Sequence, residues 1–282
     1  MSHLISVEQL GELQGAQILE VGEKTADSDA ALGALQAYQQ QHIPHARYVD
    51  LNRQFSQQTG ILHYQCPMLN EFRASFQALG LNWQQPIVIY DRGNHIWAAR
   101  LWWILSAYGH AQCYVLHGGW QQWLNHNPHW VEAGDVCVNQ KTMTHLPESL
   151  QLNQAVFARL EQVRAISEGL VSAQLINVLR PAVFAGTELR YHRAGHIPLS
   201  QNIPFSHFLT DQGQFKTIDS DFLFQHTLDL SKDIILYCGS GVTASGAALA
   251  LLEAGAHSVK IYDGSMDEWS ENPSLPLILS AE

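Results

Sequence analysis

The residues best suited to covalent chemistry lie in one short stretch, Tyr237-Cys238-Gly239-Ser240-Gly241-Val242-Thr243-Ala244. Cys238 follows an apolar, β-branched run at 233–237 and precedes an apolar helical segment at 244–253. That places it at the carboxyl end of a strand, where open α/β sheets bind ligands. Gly239 and Gly241 let the backbone curl so that successive N–H groups turn inward. The helix start adds partial positive charge at the same place. Together these features favour a thiolate and can hold an anionic sulfur. The hydroxyls of Ser240 and Thr243 can donate to the same anion.

Three chemistries compete for this cysteine. As a small buried hydrophobe it would sit badly, because Gly-x-Gly at a strand-to-helix turn builds little core. A phosphatase loop needs an arginine six residues on to grip phosphate, and that position is Ala244. The third is sulfur transfer, in which the thiolate takes a sulfur from a donor and carries it as a persulfide. That chemistry needs N–H donors around the outer sulfur and no general acid on the loop.

The elements that must position the loop occur twice. His42-Ile43-Pro44-His45-Ala46 returns as His196-Ile197-Pro198-Leu199-Ser200, and Ile87–Asp91 returns as Ile234–Cys238. Tyr108-Gly109-His110 before Cys113–Leu116 matches Ala254–His257 before Val259–Tyr262. Gly118-Gly119-Trp120 matches Asp263-Gly264-Ser265, with Gly119 set against Gly264. Offsets that drift slowly, in fixed order, indicate a duplicated domain with loop insertions. Each copy reads as strand, helix, strand, which predicts an α/β fold with a parallel sheet flanked by helices. We expect a first domain over 1–130, a polar linker over 131–154 and a second domain over 155–282. Asp91 stands where Cys238 stands in the duplicate, so the first copy has no nucleophile.

Composition narrows the function class. The 282 residues carry 15 Lys and Arg against 26 Asp and Glu, a formal net charge of -11. That balance argues against a nucleic-acid surface and means that an anionic substrate needs a local positive site. No run of about 18 apolar residues is present to cross a membrane. The four cysteines, Cys66, Cys113, Cys137 and Cys238, form no CxxC pair, against a zinc site or a disulfide framework. The expectation is a cytoplasmic enzyme needing no metal or other cofactor.

The loop Cys238-Gly239-Ser240-Gly241-Val242-Thr243-Ala244 resembles the active-site loop of 3-mercaptopyruvate sulfurtransferases, within the two-domain rhodanese family. Gly195-His196-Ile197-Pro198, Asn202-Ile203-Pro204-Phe205 and Tyr262-Asp263-Gly264-Ser265 with Glu268-Trp269 resemble further family elements. In the first half so do His42-Ile43-Pro44, Tyr90-Asp91, 98–103 and Gly118-Gly119-Trp120. The related thiosulfate enzymes carry basic residues after the cysteine, and this loop has none. The resemblance implies tandem rhodanese-like domains, an inactive first and a catalytic second. It implies Cys238 as nucleophile, with Gly239, Ser240, Gly241, Val242 and Thr243 binding substrate and persulfide. The donor would be a small anion, 3-mercaptopyruvate in preference to thiosulfate. The acceptor would be cyanide, a thiol, or a thioredoxin-like or other thiol protein. The alternatives are a thiosulfate:cyanide sulfurtransferase and a degenerate module that binds a partner or senses redox state through Cys238.

Two departures from that pattern concern substrate binding. Where the family has an acid and two arginines, Asn177, Leu179 and Val183 stand. Loss of a bidentate clamp on a carboxylate weakens binding unless another group compensates. Arg180, Arg190 and Arg193 are near in sequence, and Arg190 and Arg193 are the candidates to take over. Mercaptopyruvate enzymes also place a histidine and an aspartate opposite the loop serine. His63 stands close to that place, without an adjacent aspartate, and is a candidate partner for Ser240.

Overall fold

The runs Ile87–Tyr90 and Asp233–Tyr237 are β-branched and apolar on both faces, as strands covered by helices on both sides must be. The computed structural model describes residues 2–22, 33–58, 60, 62–135 and 146–280. The chain divides into two units, 1–59 with 66–153, and 60–65 with 154–282.

The first unit is built on strands β1 (Leu4–Ile5), β2 (Gln17–Gly22), β3 (Arg47–Asp50), β4 (Ile87–Tyr90) and β5 (Cys113–Leu116). All pair in parallel, in the order β1-β5-β4-β2-β3. Its helices are α1 (Val7–Glu12), α2 (Ala34–Gln40), α3 (Leu51–Gln54), α4 (Leu69–Ala78), α5 (Ile96–Ala107) and α6 (Gly119–His126). The second unit repeats the plan with β6 (Phe157–Ala158), β7 (Gln174–Asn177), β8 (Gln201–Asn202), β9 (Asp233–Tyr237) and β10 (Ser258–Tyr262). Its order is β6-β10-β9-β7-β8, again all parallel. Helices α7 (Leu160–Ser167), α8 (Pro181–Ala185), α9 (Ser220–Gln225), α10 (Val242–Glu253) and α11 (Ser265–Glu271) complete it. The fold class expected from the sequence is therefore the one observed: two five-stranded parallel sheets flanked by helices.

The two units agree in small polar details that hydrophobic patterning does not require. Tyr90 and Tyr237 end the central strands, and each hydroxyl accepts a backbone N–H, from Ile43 and Ile197, at 3.2 Å. The indole N–H groups of Trp123 and Trp269 both donate to a carbonyl seven residues on, of Trp130 and Pro276. His42 stacks on Tyr38 and His196 on Phe184, with ring centroids 4.1 and 3.7 Å apart. Helix α10 is buried on all sides at its start, and Gly246 lets it press against the Phe205 ring, where any Cβ would collide.

The stretch expected to be a linker is, where described, tied to the first unit. Glu132 bridges to His42, the Arg73 guanidinium donates to the Pro147 carbonyl, and Asn153 N–H donates to Ala107 O. Leu146 and Leu150 are buried. Polar composition hid these anchors because they are backbone bonds and two isolated leucines. Cys137 lies outside the described residues.

Candidate active site

Strand β9 delivers Cys238 to the carboxyl edge of the sheet, and α10 begins four residues later. Gly241 caps that helix at φ 79°, a conformation that glycine adopts without strain. The loop is pinned from the α11 side. Met266 N–H donates to Cys238 O at 3.1 Å and Asp267 N–H donates to Gly239 O at 3.0 Å. Cys238 N–H donates to Ser265 Oγ at 3.1 Å, and that hydroxyl donates to Tyr262 O at 2.7 Å. Ser265 is fully buried at φ 50°, a strained backbone for a residue with a side chain.

The backbone N–H groups of Gly241, Thr243 and Ala244 have no protein acceptor among the described residues. They belong to the first turn of α10 and its approach, where intrahelical partners do not exist. Cys238 begins the loop that carries them and is 1% exposed. Low exposure and a set of open donors suit the loop to hold a small anion.

The first unit shows the same loop already filled. The Asp91 carboxylate accepts four backbone N–H groups, from Gly93 and His95 on one oxygen and from Trp97 and Ala98 on the other. The distances run from 3.0 to 3.1 Å, the range of good hydrogen bonds. That loop is one residue longer, with His95 at φ 73° in the place of Gly241. The structure also shifts one sequence match. Gly119, at φ 52°, corresponds to Ser265 rather than Gly264, because Trp120 N–H donates to Asp91 O as Met266 N–H does to Cys238 O.

The candidate substrate groups divide. Arg193 is engaged elsewhere, which corrects its place among them. Its Nε and Nη atoms donate to the carbonyls of Ser270, Leu275, Trp269 and Asn272 at 2.7–3.1 Å, closing the carboxyl end of α11. Arg180 pairs with Glu188. Arg190 is exposed and close enough to hydrogen-bond to the phenol of Tyr191. Val183 is buried at 3% exposure, so no clamp can arise from that position by a rotamer change. Asn177 is fully buried, and its Oδ1 accepts the Leu179 N–H at 2.8 Å, closing a turn where the first unit has Glu20. His63, whose short segment groups with the second unit, lies with Nδ1 3.2 Å from Asp267 Oδ2. It makes no hydrogen bond to Ser240, so the expected pair does not form.

Two residues at the site escaped sequence reasoning. Tyr191 lies against Gly239, and a methyl group on that glycine would fall 2.8 Å from the ring carbon that bears the hydroxyl. Burial, followed by the charges at Cys238 and Asp267, pushes its phenol up to about 12. Asp267 joins the site through its N–H and its link to His63. Neither carries a sequence signal, because their neighbours Gly239 and His63 lie 48 and 204 positions away. Among the described residues no group of three or more His, Cys, Asp or Glu gathers to hold a metal. No described helix is long and apolar enough to cross a membrane.

Comparison with known proteins gives this geometry a context. The model of the rhodanese-like domain matches residues 7–126 and 165–272, one match in each unit. The chain is 32% identical over 253 residues to the 3-mercaptopyruvate sulfurtransferase of Escherichia coli, covering 86% of this chain and 85% of that protein. It is 30% identical over 269 residues to the mitochondrial thiosulfate/3-mercaptopyruvate sulfurtransferase 1 of Arabidopsis thaliana, covering 88% and 70%. The crystal structure of SseA from Escherichia coli superposes with a TM-score of 0.78 at 29% identity, covering 94% of this chain and 99% of that one.

Proposed function

This chain belongs to the rhodanese family of sulfurtransferases, and we propose that it moves sulfane sulfur from a small anionic donor through a persulfide on Cys238. The favoured donor is 3-mercaptopyruvate. The Cys238 thiolate attacks the donor sulfur, an S–S bond forms and the carbon–sulfur bond breaks. The electron pair leaves on the pyruvate enolate, which takes a proton from water. An acceptor thiolate or cyanide then attacks the outer sulfur and the S–S bond breaks. Cys238 returns to the thiolate. This is covalent catalysis in two transfers, with no net redox change and no cofactor.

The observation that carries the reading is the contrast between the two loops. In the first unit the N–H groups hold a carboxylate, so a loop of this shape binds negative charge. In the second, the residue that begins the loop of open N–H groups is a cysteine, whose persulfide would bring the negative charge. Backbone donors fixed before the reaction stabilise such charge without reorganising. The absence of any basic residue on the loop supports mercaptopyruvate over thiosulfate. A thioredoxin-like protein thiol is a suitable acceptor, because a thiolate is all that the second step needs.

The test supplies purified protein with 3-mercaptopyruvate or thiosulfate, cyanide as acceptor, and follows thiocyanate beside Cys238→Ser. Turnover with mercaptopyruvate that is lost at least about a thousand-fold in the variant is expected. Turnover with thiosulfate alone would overturn the donor assignment. Turnover equal in the variant would overturn the role of Cys238.

A further inference from the structure

The first unit holds a cavity that no residue of the Asp91 loop lines, between α1, the end of α6 and the turn at Ile43-Pro44-His45. Its volume is about 490 Å³, within the range of small-molecule sites. Leu10, Leu13, Ile18, Ile43 and Trp123 make its walls apolar. Two features keep it open. Gly11 lies within α1, where glycine weakens a helix relative to alanine, yet a Cβ there would meet nothing within 4 Å. Packing therefore does not require this glycine, and its missing side chain leaves the wall recessed. The other feature is the turn after α6. Trp130 N–H closes it on Asn127 O at 3.1 Å, as Leu275 N–H closes the turn after α11 on Asn272 O at 3.2 Å. Leu275 packs into the apolar cluster of its unit at 3% exposure. Trp130 stays 59% exposed, with its ring 5.3 Å from that of Trp123. A large indole left in water at the edge of an apolar cavity is a surface suited to a ligand.

The charges at the cavity select the ligand. Glu8 lines it, and the Ser6 hydroxyl holds its carboxyl below the usual range, so it is anionic at neutral pH. Glu132 stands behind the lining residue His45, 3.4 Å from the ring. Among the described residues that line the cavity there is no lysine or arginine. The partners of the two carboxylates there are histidines, His126 at 3.0 Å from Glu8 and His45 at Glu132. Histidine is the weakest of the cationic side chains at neutral pH. Indole rings and a carboxylate in one cavity favour a cation carried on an apolar body. We propose that this cavity binds a small organic cation, an amine on an aromatic or branched apolar body, with the body against Trp123 and Trp130 and the ammonium at Glu8. The site is separate from Cys238 and does not rest on the sulfur-transfer reading.

The test titrates the full chain with 2-phenylethylamine, following tryptophan fluorescence, beside 2-phenylethanol and 3-phenylpropionate as neutral and anionic counterparts. The amine should give a saturable change with a Kd of about 1 mM or tighter. The alcohol should bind several-fold more weakly, and the carboxylate should not saturate. Gly11→Leu fills the cavity from an exposed helix position and should remove the saturable change, with the thermal midpoint held or raised. Glu8→Gln, also at an exposed position, should weaken the amine about two- to five-fold and leave the alcohol unchanged. Cys238→Ser should bind the amine as the native protein does. No saturable change with the amine, equal binding of the carboxylate, or native amine affinity in Gly11→Leu would each overturn the proposal. Loss of amine binding in Cys238→Ser would overturn it too. Where Gly11→Leu lowers the thermal midpoint, the amine-to-alcohol affinity ratio in Glu8→Gln decides, and an unchanged ratio overturns the proposal.

Discussion

Asp91 and Cys238 directly follow equivalent strands, and their carbonyls accept equivalent N–H groups, from Trp120 and Met266, both at 3.1 Å. The side chains use that common position in opposite ways. Asp91 is 2% exposed and takes four N–H bonds, so its carboxylate occupies the donors of its own loop. Cys238 is as buried, and the N–H groups of Gly241, Thr243 and Ala244 in its loop have no protein acceptor among the described residues. In the first copy the loop acts as a structural lock, and in the second we propose that it serves chemistry. The contrast lies in one side chain and in a loop that differs by one residue in length.

The sharpest way to break this comparison is to truncate both residues. Asp91→Ala leaves four N–H groups, two of them buried, without their acceptor, and we expect it to cost about 2–4 kcal/mol. Cys238→Ala removes a small apolar group and should cost about 1 kcal/mol while abolishing transfer. Urea unfolding followed by tryptophan fluorescence is suited to the first, since seven of the eight tryptophans precede residue 131. Equal losses in the two variants would mean that Asp91 is no lock.

A second difference concerns acid. His110 stands where the second copy has Ala256, and both N–H groups close the preceding helix, on Leu105 and Leu251. The His110 ring is buried against Trp83 with neither ring nitrogen hydrogen-bonded, and burial lowers it to about 4. Its ordinary value is 6.5, so the unfolded chain binds the proton first as pH falls. The stability from neutral His110 is thus complete above pH 6.5 and lost progressively toward pH 4. The loss amounts to about 3 kcal/mol. Burial lowers His95 in the Asp91 loop in the same direction. Denaturant midpoints across this range should fall in the native protein and fall less in His110→Gln. A parallel decline in both would remove His110 as the cause.

Much of this was legible in the sequence. The duplication, the parallel sheets and the cysteine loop follow from short apolar runs and from glycines whose meaning is local. What stayed hidden depends on tertiary neighbours. Arg193 reads as a free cation until α11 presents it with carbonyls, and Tyr191 reads as an ordinary aromatic until the fold lays it on Gly239. The polar stretch after residue 130 read as a linker because backbone anchors leave no compositional trace. The one-residue difference between the two loops displaced the match at Gly119 for a similar reason, since only φ angles and hydrogen bonds fix it.

That displaced match supplies the finest contrast. Gly119 and Ser265 share a left-handed backbone, at φ 52° and 50°. Glycine is at ease there, and a Cβ on Gly119 would press on the Asp91 carbonyl at 2.6 Å. The second copy accepts the strain of serine, and the gain is a hydroxyl that receives the Cys238 N–H. Ser265→Ala keeps the strain and loses the bond, and should cost about 1–2 kcal/mol. Ser265→Gly loses the bond but relieves the backbone, and should cost less than Ser265→Ala in thermal unfolding. Sulfur transfer should fall several-fold in both, because both release the cysteine backbone from its anchor. If Ser265→Gly transfers sulfur as well as the native protein, the serine serves stability alone and its strain has no part in placing Cys238.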